Sequence, residues 1–385
     1  MLIAALILSL VLGLFSTIRY RKVFNPFTME AYFTVLFMIV PQLFLVTTSP
    51  NPEYYFWSDV VIMIYIVSIF VGTLINVNSF KLKPIENVHT VNTLNILLYA
   101  ALVAPLIPFL LSKGISAQGF RAFYETVVFS KYASFYELSK LVLYFLIFFK
   151  LINRQRFSFG VLILFPLVFF YGSRFVILDF IIYLCVFLEQ FRDLSMRRII
   201  AVCLVGAAAI LLYSTYQFTT ARLSEMLVSY FDIYRNQAFV INKLMDGDID
   251  YFHGEIYASS YLKYIPRIIW EGKPKAFGFA ILNYAIFPEK AAKGYMPSFG
   301  LGTAFADFGF ISIVLIGVMG GFIRNFFYRL FAKSKSNLSF FLFIFPFSFV
   351  TNFFILFYIF VDFLLTRWSS KKDAPSNQQL NVTDP

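Results

Sequence analysis

The sequence predicts an all-α polytopic membrane protein with about eleven transmembrane helices, within a range of about 10–12. Hydrophobic residues make up 59% of the 385 residues, and only 14% are charged. Apolar runs of about 20 residues, the length that a helix needs to cross the hydrocarbon, recur along the chain. Each span is expected to be helical, because a helix satisfies its own backbone hydrogen bonds inside the bilayer.

Basic residues orient these spans. Arg19, Arg21 and Lys22 directly follow the first span, and the positive-inside rule places them in the cytoplasm. The first span is expected to be retained, because it lacks the basic start and the cleavage pattern of a signal peptide. We therefore expect the N-terminus outside and the C-terminus inside. The spans are predicted at about 1–18, 29–48, 58–78, 93–111, one between the loop 112–137 and Lys150, 157–171, 175–190, 199–216, 299–323 and two within 338–366.

This topology predicts the domain organisation. Residues 1–216 hold transmembrane helices 1–8, 217–298 form one large periplasmic or extracellular loop, 299–368 hold helices 9–11, and 369–385 form a cytoplasmic tail. The basic residues after the ninth span, from Arg324 onward, are expected inside. The net charge of +11 is then explained by cytoplasmic loops and does not indicate nucleic acid as a partner.

The large outer loop is predicted to contain an amphipathic helix. Apolar residues recur there at helical spacing, and Gly247 is a plausible helix stop. Such a helix lies on the outer membrane surface or covers a cavity. Its predicted apolar positions are Leu223, Leu227, Tyr230, Tyr234, Ala238, Ile241 and Met245.

The stretch 264–278 stands out within the same loop. Arg267, Lys273 and Lys275 lie outside, against the positive-inside trend, and the surrounding prolines and glycines disfavour a regular helix. Basic groups held in an irregular backbone suit a phosphate or diphosphate, although contact with anionic lipid headgroups is the alternative. Trp270 is suited to stacking on a sugar or to anchoring at the membrane interface.

A second basic group lies in the turn Tyr171-Gly-Ser-Arg174. Glycine permits the tight reversal, and Arg174 then begins a helix at the outer face. A cation at a helix N-terminus is unfavourable for the helix dipole, so helix stability does not explain it. We expect an anion site at this position, with snorkelling toward lipid headgroups as the alternative.

Several other patterns do not indicate a metal or cofactor site. The first outer loop, 49–57, lacks the Asp-x-Asp pair that a metal-dependent glycosyltransferase would use. The run Asp246-Gly-Asp248-Ile-Asp250 lacks the spacing of a calcium loop and predicts a solvated turn. Asp307-Phe-Gly309 is a lone tripeptide in an apolar run. Cys185 and Cys203 show no metal-ligand spacing. We therefore expect no metal and no cofactor.

Together these features resemble the bacterial oligosaccharide repeat-unit polymerases, the Wzy-type O-antigen polymerase family. The resemblance lies in the many spans, the Gly-Ser-Arg174 turn, the late outer loop, and the run Ile265-Pro-Arg-Ile-Ile-Trp-Glu-Gly-Lys-Pro274. Arg267 and Gly278 also match the Arg-x10-Gly pattern of outer loops in such proteins. Pro297-Ser-Phe-Gly300, running into Asp307-Phe-Gly309, is similar to a late segment of the family. The loop 112–137 has no second Arg-x10-Gly, because Tyr132 occupies that position after Arg121.

The resemblance implies the joining of glycan units carried on undecaprenyl diphosphate, at the outer leaflet of the bacterial cytoplasmic membrane. The leaving diphosphate gains charge in the transition state, and outer cations are expected to stabilise it. Arg174 and Arg267 are the first candidates. The acceptor hydroxyl needs a general base, for which His253, Glu255 and Asp232 remain unranked. Further candidates for binding the diphosphate or glycan are Arg121, Arg222, Asp232, Arg235, Trp270, Lys273, Lys275 and Gly278.

Two other functions remain open from the sequence. A ligase-like transferase would pass the finished glycan to a different acceptor, with similar chemistry. A flippase or other transporter would show internal repeats and charged groups along a path near mid-membrane. The unexplained cations at the outer face favour the polymerase. Its expected partners are the lipid-linked donor and acceptor, the bilayer, a chain-length regulator and a flippase.

Overall fold

The structure, a computed structural model, describes residues 1–45, 52–76, 78, 143–144, 146–148, 151–152, 174–192, 198, 201–202, 205, 233–262, 270, 274, 276–292 and 296–344. Within these ranges the regular elements are helices, and no strand occurs. The α-helices are α1 (Leu2–Tyr20), α2 (Pro26–Thr34), α3 (Val40–Leu45), α4 (Phe56–Leu74), α5 (Arg174–Arg192), α6 (Ile233–Met245), α7 (Glu255–Leu262), α8 (Phe279–Ile286), α9 (Pro288–Ala292), α10 (Gly302–Phe308), α11 (Phe310–Ser334) and α12 (Asn337–Ile344). A π-helical turn (Val35–Ile39) joins α2 to α3, and a 3-10 turn (Pro52–Tyr55) precedes α4.

Four segments of the described chain are long and apolar enough to cross a membrane. They are Leu2–Tyr20, Pro26–Leu43, Glu53–Leu74 and Phe310–Ser334. The chain is therefore a helical membrane protein. The first three segments agree with the first three predicted spans. The predicted spans at 93–111 and 157–171, and most of those at 199–216 and 338–366, lie outside the described residues.

The prediction for the ninth span is wrong in its bounds. The apolar run that begins near residue 299 is broken at Gly309, so α10 is a separate short helix and the long helix begins at Phe310. Apolar composition alone hides this break, because glycine is not a polar residue. Arg324 consequently lies inside α11 and not in a loop that follows it.

Arg324 is 3% exposed and pairs with Glu30 of α2. Its Nε and Nη2 atoms each lie 3.0 Å from Glu30 Oε2, and the Tyr65 hydroxyl donates to Glu30 Oε1 at 3.4 Å. A buried charge is costly in a membrane protein unless a partner balances it. This pair therefore ties α2, α4 and α11 together within their apolar surroundings.

Helices α4 and α11 approach each other through glycines. A methyl group on Gly321 would lie 2.1 Å from the Ile69 carbonyl oxygen, and one on Gly72 would lie 2.1 Å from the Val318 carbonyl oxygen. Small residues let membrane helices pack backbone against backbone, which supplies dispersion contacts that lipid cannot replace. The spacing of these two helices thus depends on the absence of side chains.

The chain divides into two compact units, residues 1–79 with 181–329 and residues 80–180 with 330–385. In the first unit, several helix ends meet. The Tyr20 hydroxyl at the end of α1 lies 3.2 Å from the Thr73 carbonyl oxygen and 3.0 Å from Asn325 Oδ1. The Glu189 carboxylate near the end of α5 accepts from the Phe24 amide at 2.9 Å. The ends of α1, α4 and α5 therefore lie together beside the later part of α11.

The described part of the second unit is an aromatic cluster. Phe148 packs against Phe340 with ring centroids 5.4 Å apart, and Phe331 stacks on Phe343 at 6.0 Å. Aromatic pairs in these arrangements add to the stability that burial of their area provides.

Candidate functional site

The predicted amphipathic helix occurs in the segment 217–298, and its described part is α6. Tyr234, Ala238 and Ile241 are buried, as the periodicity predicts. The helix packs against α4 and α10. The buried face of α6 is therefore covered by protein.

Gln237, on the buried face of α6, was missed by the apolar pattern. It is 0% exposed, and its amide nitrogen donates to Ser58 Oγ at 2.9 Å. Its amide oxygen accepts from the Leu301 backbone N–H, also at 2.9 Å. A buried amide is tolerated when its groups are hydrogen-bonded. Gln237 thereby holds α6 to α4 and to the segment that leads into α10.

Gly247 ends α6, which confirms the predicted helix stop. It has a φ of 77°, and the next residue, Asp248, donates its N–H to the Lys243 carbonyl at 2.9 Å. This is the hydrogen-bond pattern of a Schellman cap. Asp246, Asp248 and Asp250 are exposed, in agreement with the predicted solvated turn.

The N-terminus of α7 is capped from a distant part of the chain. Asp307 is 0% exposed, and its carboxylate accepts the N–H groups of Gly254 at 3.2 Å, Ile256 at 3.1 Å and Tyr257 at 2.9 Å. Burial raises the pKa of this carboxyl, and the backbone donors counteract the rise. Asp307 therefore has a structural task that its tripeptide gave no reason to expect.

The cap also fixes the two acid–base candidates that flank it. The His253 N–H donates to the Asp307 carbonyl at 3.0 Å, and the His253 side chain is exposed. Glu255 is the first residue of α7, and its side chain forms part of a cavity wall. His253 is not among the described residues of that wall.

This cavity has a volume of about 930 Å³. Its described walls come from α7, α8 and α9, together with Trp270, Pro274, Ala276 and Phe277. Sites that bind small molecules typically have volumes of roughly 300–1,000 Å³, and this cavity lies near the upper end of that range. The lining is largely apolar, and its polar side chains include Glu255, Ser259, Trp270 and Tyr284.

Gly278 closes the wall beside α7. It is buried and has a φ of 57°. Its N–H donates to Ser259 Oγ at 2.8 Å, and a methyl group on it would lie 2.4 Å from Ser260 Oγ. Both the conformation and the space favour glycine. This contact gives a physical reason for the glycine that ends the Arg-x10-Gly pattern.

The structure brings three of the predicted site residues to one place. Glu255 and Trp270 line the cavity, and Gly278 supports its wall. Arg235 lies on α6, where its Nε donates to the Tyr234 hydroxyl at 2.9 Å. Arg174 begins α5 as predicted, and its side chain is outside the described atoms. The remaining candidates lie outside the described residues: Arg121, Arg222, Asp232, Arg267, Lys273 and Lys275.

The charge of the described lining is negative. Glu255 is its one ionisable carboxylate or basic group, and in the described part of the chain its carboxylate makes no ion pair or hydrogen bond. The same part of the chain contains no group of three metal-ligating side chains. The arrangement offers a hydrogen-bond acceptor next to aromatic surfaces.

Comparison with known proteins gives a partial match. The chain is 27% identical over 186 residues to two curated O-antigen polymerases, one from Salmonella typhimurium strain LT2 and one from Salmonella typhi. The match covers 46% of this chain and 45% of each relative, so the chain spans about half the length of the curated relatives it matches. No family model and no solved structure matches. The similarity supports the resemblance that the motifs indicate.

Proposed function

We propose that this protein polymerises oligosaccharide repeat units carried on undecaprenyl diphosphate. The product is an O-antigen or capsular-type polysaccharide, made at the outer leaflet of the bacterial cytoplasmic membrane. The observation that carries the proposal is the cavity at which Glu255, Trp270 and Gly278 meet. It lies in a helical membrane protein that is similar to two O-antigen polymerases.

The reaction needs stabilisation of the leaving lipid diphosphate. Charge develops on its oxygen as the bond to the sugar breaks, and guanidinium groups bind such oxygens with two parallel hydrogen bonds. Arg174 and Arg267 take this role in the proposal, without a metal ion. Additional contacts to the diphosphate or glycan are assigned to Arg121, Arg222, Arg235, Lys273 and Lys275.

The packing of α6 and α7 supports the proposal. Gln237 holds α6 against α4, and Asp307 holds α7 against α10, so both outer-loop helices are attached to the apolar part of the molecule. A cavity between helices that are held in place can orient two large substrates for reaction. In the cell, we expect a flippase to deliver the lipid-linked units and a chain-length regulator to act on the product.

Deletion of the gene, followed by gel analysis of the surface glycan, tests this function. We expect single repeats to remain and the ladder of longer chains to disappear. Arg174→Ala and Arg267→Ala should reproduce that loss when each replaces the wild-type protein at equal membrane abundance. Arg21→Ala is the matched control, because Arg21 is exposed directly after α1 and should leave the ladder unchanged.

Other outcomes have different meanings. Loss of all attached repeats on deletion would indicate a ligase or a flippase in place of a polymerase. A full-length ladder in both the Arg174 and Arg267 variants would contradict their assignment to the diphosphate.

A further inference from the structure

The described cavity walls combine aromatic surfaces with unused hydrogen-bonding groups. Trp270 is half-buried, and its ring packs edge-on to Phe277 with centroids 6.2 Å apart. Within the described part of the chain, the Trp270 indole N–H and the Tyr284 hydroxyl make no hydrogen bond. An apolar pocket with a few polar groups orients a ligand that has both apolar faces and hydroxyls.

The end of α7 that reaches this cavity is poorly suited to an anion. Free amides at a helix N-terminus attract phosphate, but here Asp307 already occupies the N–H groups of Gly254, Ile256 and Tyr257. Glu255 adds a second carboxylate at the same end. A diphosphate placed against this wall would meet the Glu255 carboxylate, which lies in the described lining and would repel it. A neutral, hydroxyl-bearing group avoids this cost.

We propose that the cavity holds the terminal sugar of the acceptor glycan and that Glu255 is the general base for the attacking hydroxyl. This inference rests on the proposed polymerase function and assigns a substrate to the cavity. Glu255 fits the role better than His253, because the Glu255 side chain faces the cavity and has a free carboxylate in the described part of the chain. Trp270 provides the surface on which a sugar ring stacks.

The chemical step is a single displacement. The acceptor hydroxyl oxygen forms a bond to the anomeric carbon of the donor glycan, and the bond from that carbon to the diphosphate oxygen breaks. The electron pair of the broken bond leaves with the lipid diphosphate. The hydroxyl proton passes to the Glu255 carboxylate, which returns it to water after the product moves.

Tryptophan fluorescence measures binding to the cavity independently of catalysis. The chain has three tryptophans, so Trp57→Phe with Trp368→Phe leaves Trp270 as the reporter. This variant, in lipid nanodiscs, is titrated with the phosphate-free repeat unit released from its carrier by mild acid. A parallel titration uses undecaprenyl diphosphate without a glycan. We expect the repeat unit to change the fluorescence in a saturable way, and to change it more than undecaprenyl diphosphate does.

Initial rates of polymerisation test the base. Glu255→Gln removes the proton acceptor but keeps the size of the side chain, so kcat should fall by about 100-fold or more while the binding of the repeat unit persists. Glu289→Gln is the matched control, because Glu289 is exposed on α9 and is not among the described lining residues. It should retain the wild-type kcat.

Two results would overturn the inference. One is a fluorescence response to undecaprenyl diphosphate but not to the repeat unit. The other is a wild-type kcat in the Glu255→Gln variant. A wild-type protein that binds the repeat unit and never lengthens it would instead refute the proposed function, while it would support the sugar site.

Discussion

At the scale of single residues, the shape of the cavity wall depends on close contacts at Gly278 and on the hydrogen bonds of Asp307. Gly278 lies against Ser259 and Ser260 of α7, in a backbone conformation that L side chains rarely adopt. Both carboxylate oxygens of Asp307 accept hydrogen bonds from backbone amides of the segment that carries Glu255. These two residues shape the wall of the site through their own contacts.

Gly278→Ala should lower the stability of the fold by about 1–3 kcal/mol, because the new methyl group adds conformational strain and a clash with Ser260 Oγ. In the double variant, Gly278→Ala with Ser260→Ala, the clash is relieved but the conformational strain remains. Part of the lost stability should therefore be recovered. Thermal unfolding in detergent, with Ser260→Ala alone as the control, measures both effects. Equal unfolding temperatures for Gly278→Ala and the wild type would contradict the contact.

Sequence reasoning found some of these residues and missed others. Gly247 and Gly278 were predicted, because a helix stop and a spaced motif each leave a local signal. Gln237 and Asp307 were missed, because the partners that explain them are about 50 residues or more away in the chain. In the sequence, such a long-range contact appears only as a polar residue within an apolar run. The sequence does not show which residue is its partner.

At the scale of elements, glycine sets the distance between α4 and α11. The atoms that a methyl group on Gly72 or Gly321 would meet belong to the facing backbone, which cannot rotate away as a side chain can. The Glu30–Arg324 pair lies in the same group of helices and adds a charged contact to this packing. The packing of these helices therefore combines close backbone approach with an internal charge pair.

Gly321→Ala should force α4 and α11 apart and lower the unfolding temperature, with an expected loss of about 1–3 kcal/mol from overpacking. The matched control is Gly13→Ala in α1, where the nearest atom to the new methyl group would be Phe27 Cε1 at 3.9 Å. Since alanine favours a helix over glycine, the control should be neutral or slightly stabilising. A similar unfolding temperature for both variants would argue against the close packing.

Periodicity predicted the elements better than their ends. The helical spacing of Tyr234, Ala238 and Ile241 was confirmed in α6, since an apolar stripe appears in the sequence whatever covers it. The ninth span was misplaced, because hydropathy does not register the break at Gly309. Arg324 was assigned to a loop for a related reason: a sequence window shows a charge but not the Glu30 that balances it.

At the scale of the whole molecule, the helices of the first unit make two groups of contacts. The ends of α1, α4 and α5 meet beside the later part of α11. Helices α7, α8 and α9 line the cavity. Asn242 of α6 donates to the Tyr54 carbonyl, in the turn before α4, at 2.8 Å. This hydrogen bond joins α6 to the turn that precedes α4.

The central claim is that this chain joins lipid-linked glycan units by itself. The most direct measurement reconstitutes the purified protein in liposomes that contain undecaprenyl-diphosphate-linked repeat units as the only substrate. The length of the glycans released by mild acid is then followed on a gel. We predict a ladder of multiples of the repeat unit, persisting with a chelator present and absent with Arg267→Ala. Release of single repeats with no ladder, from a protein that is folded and inserted, would contradict the account.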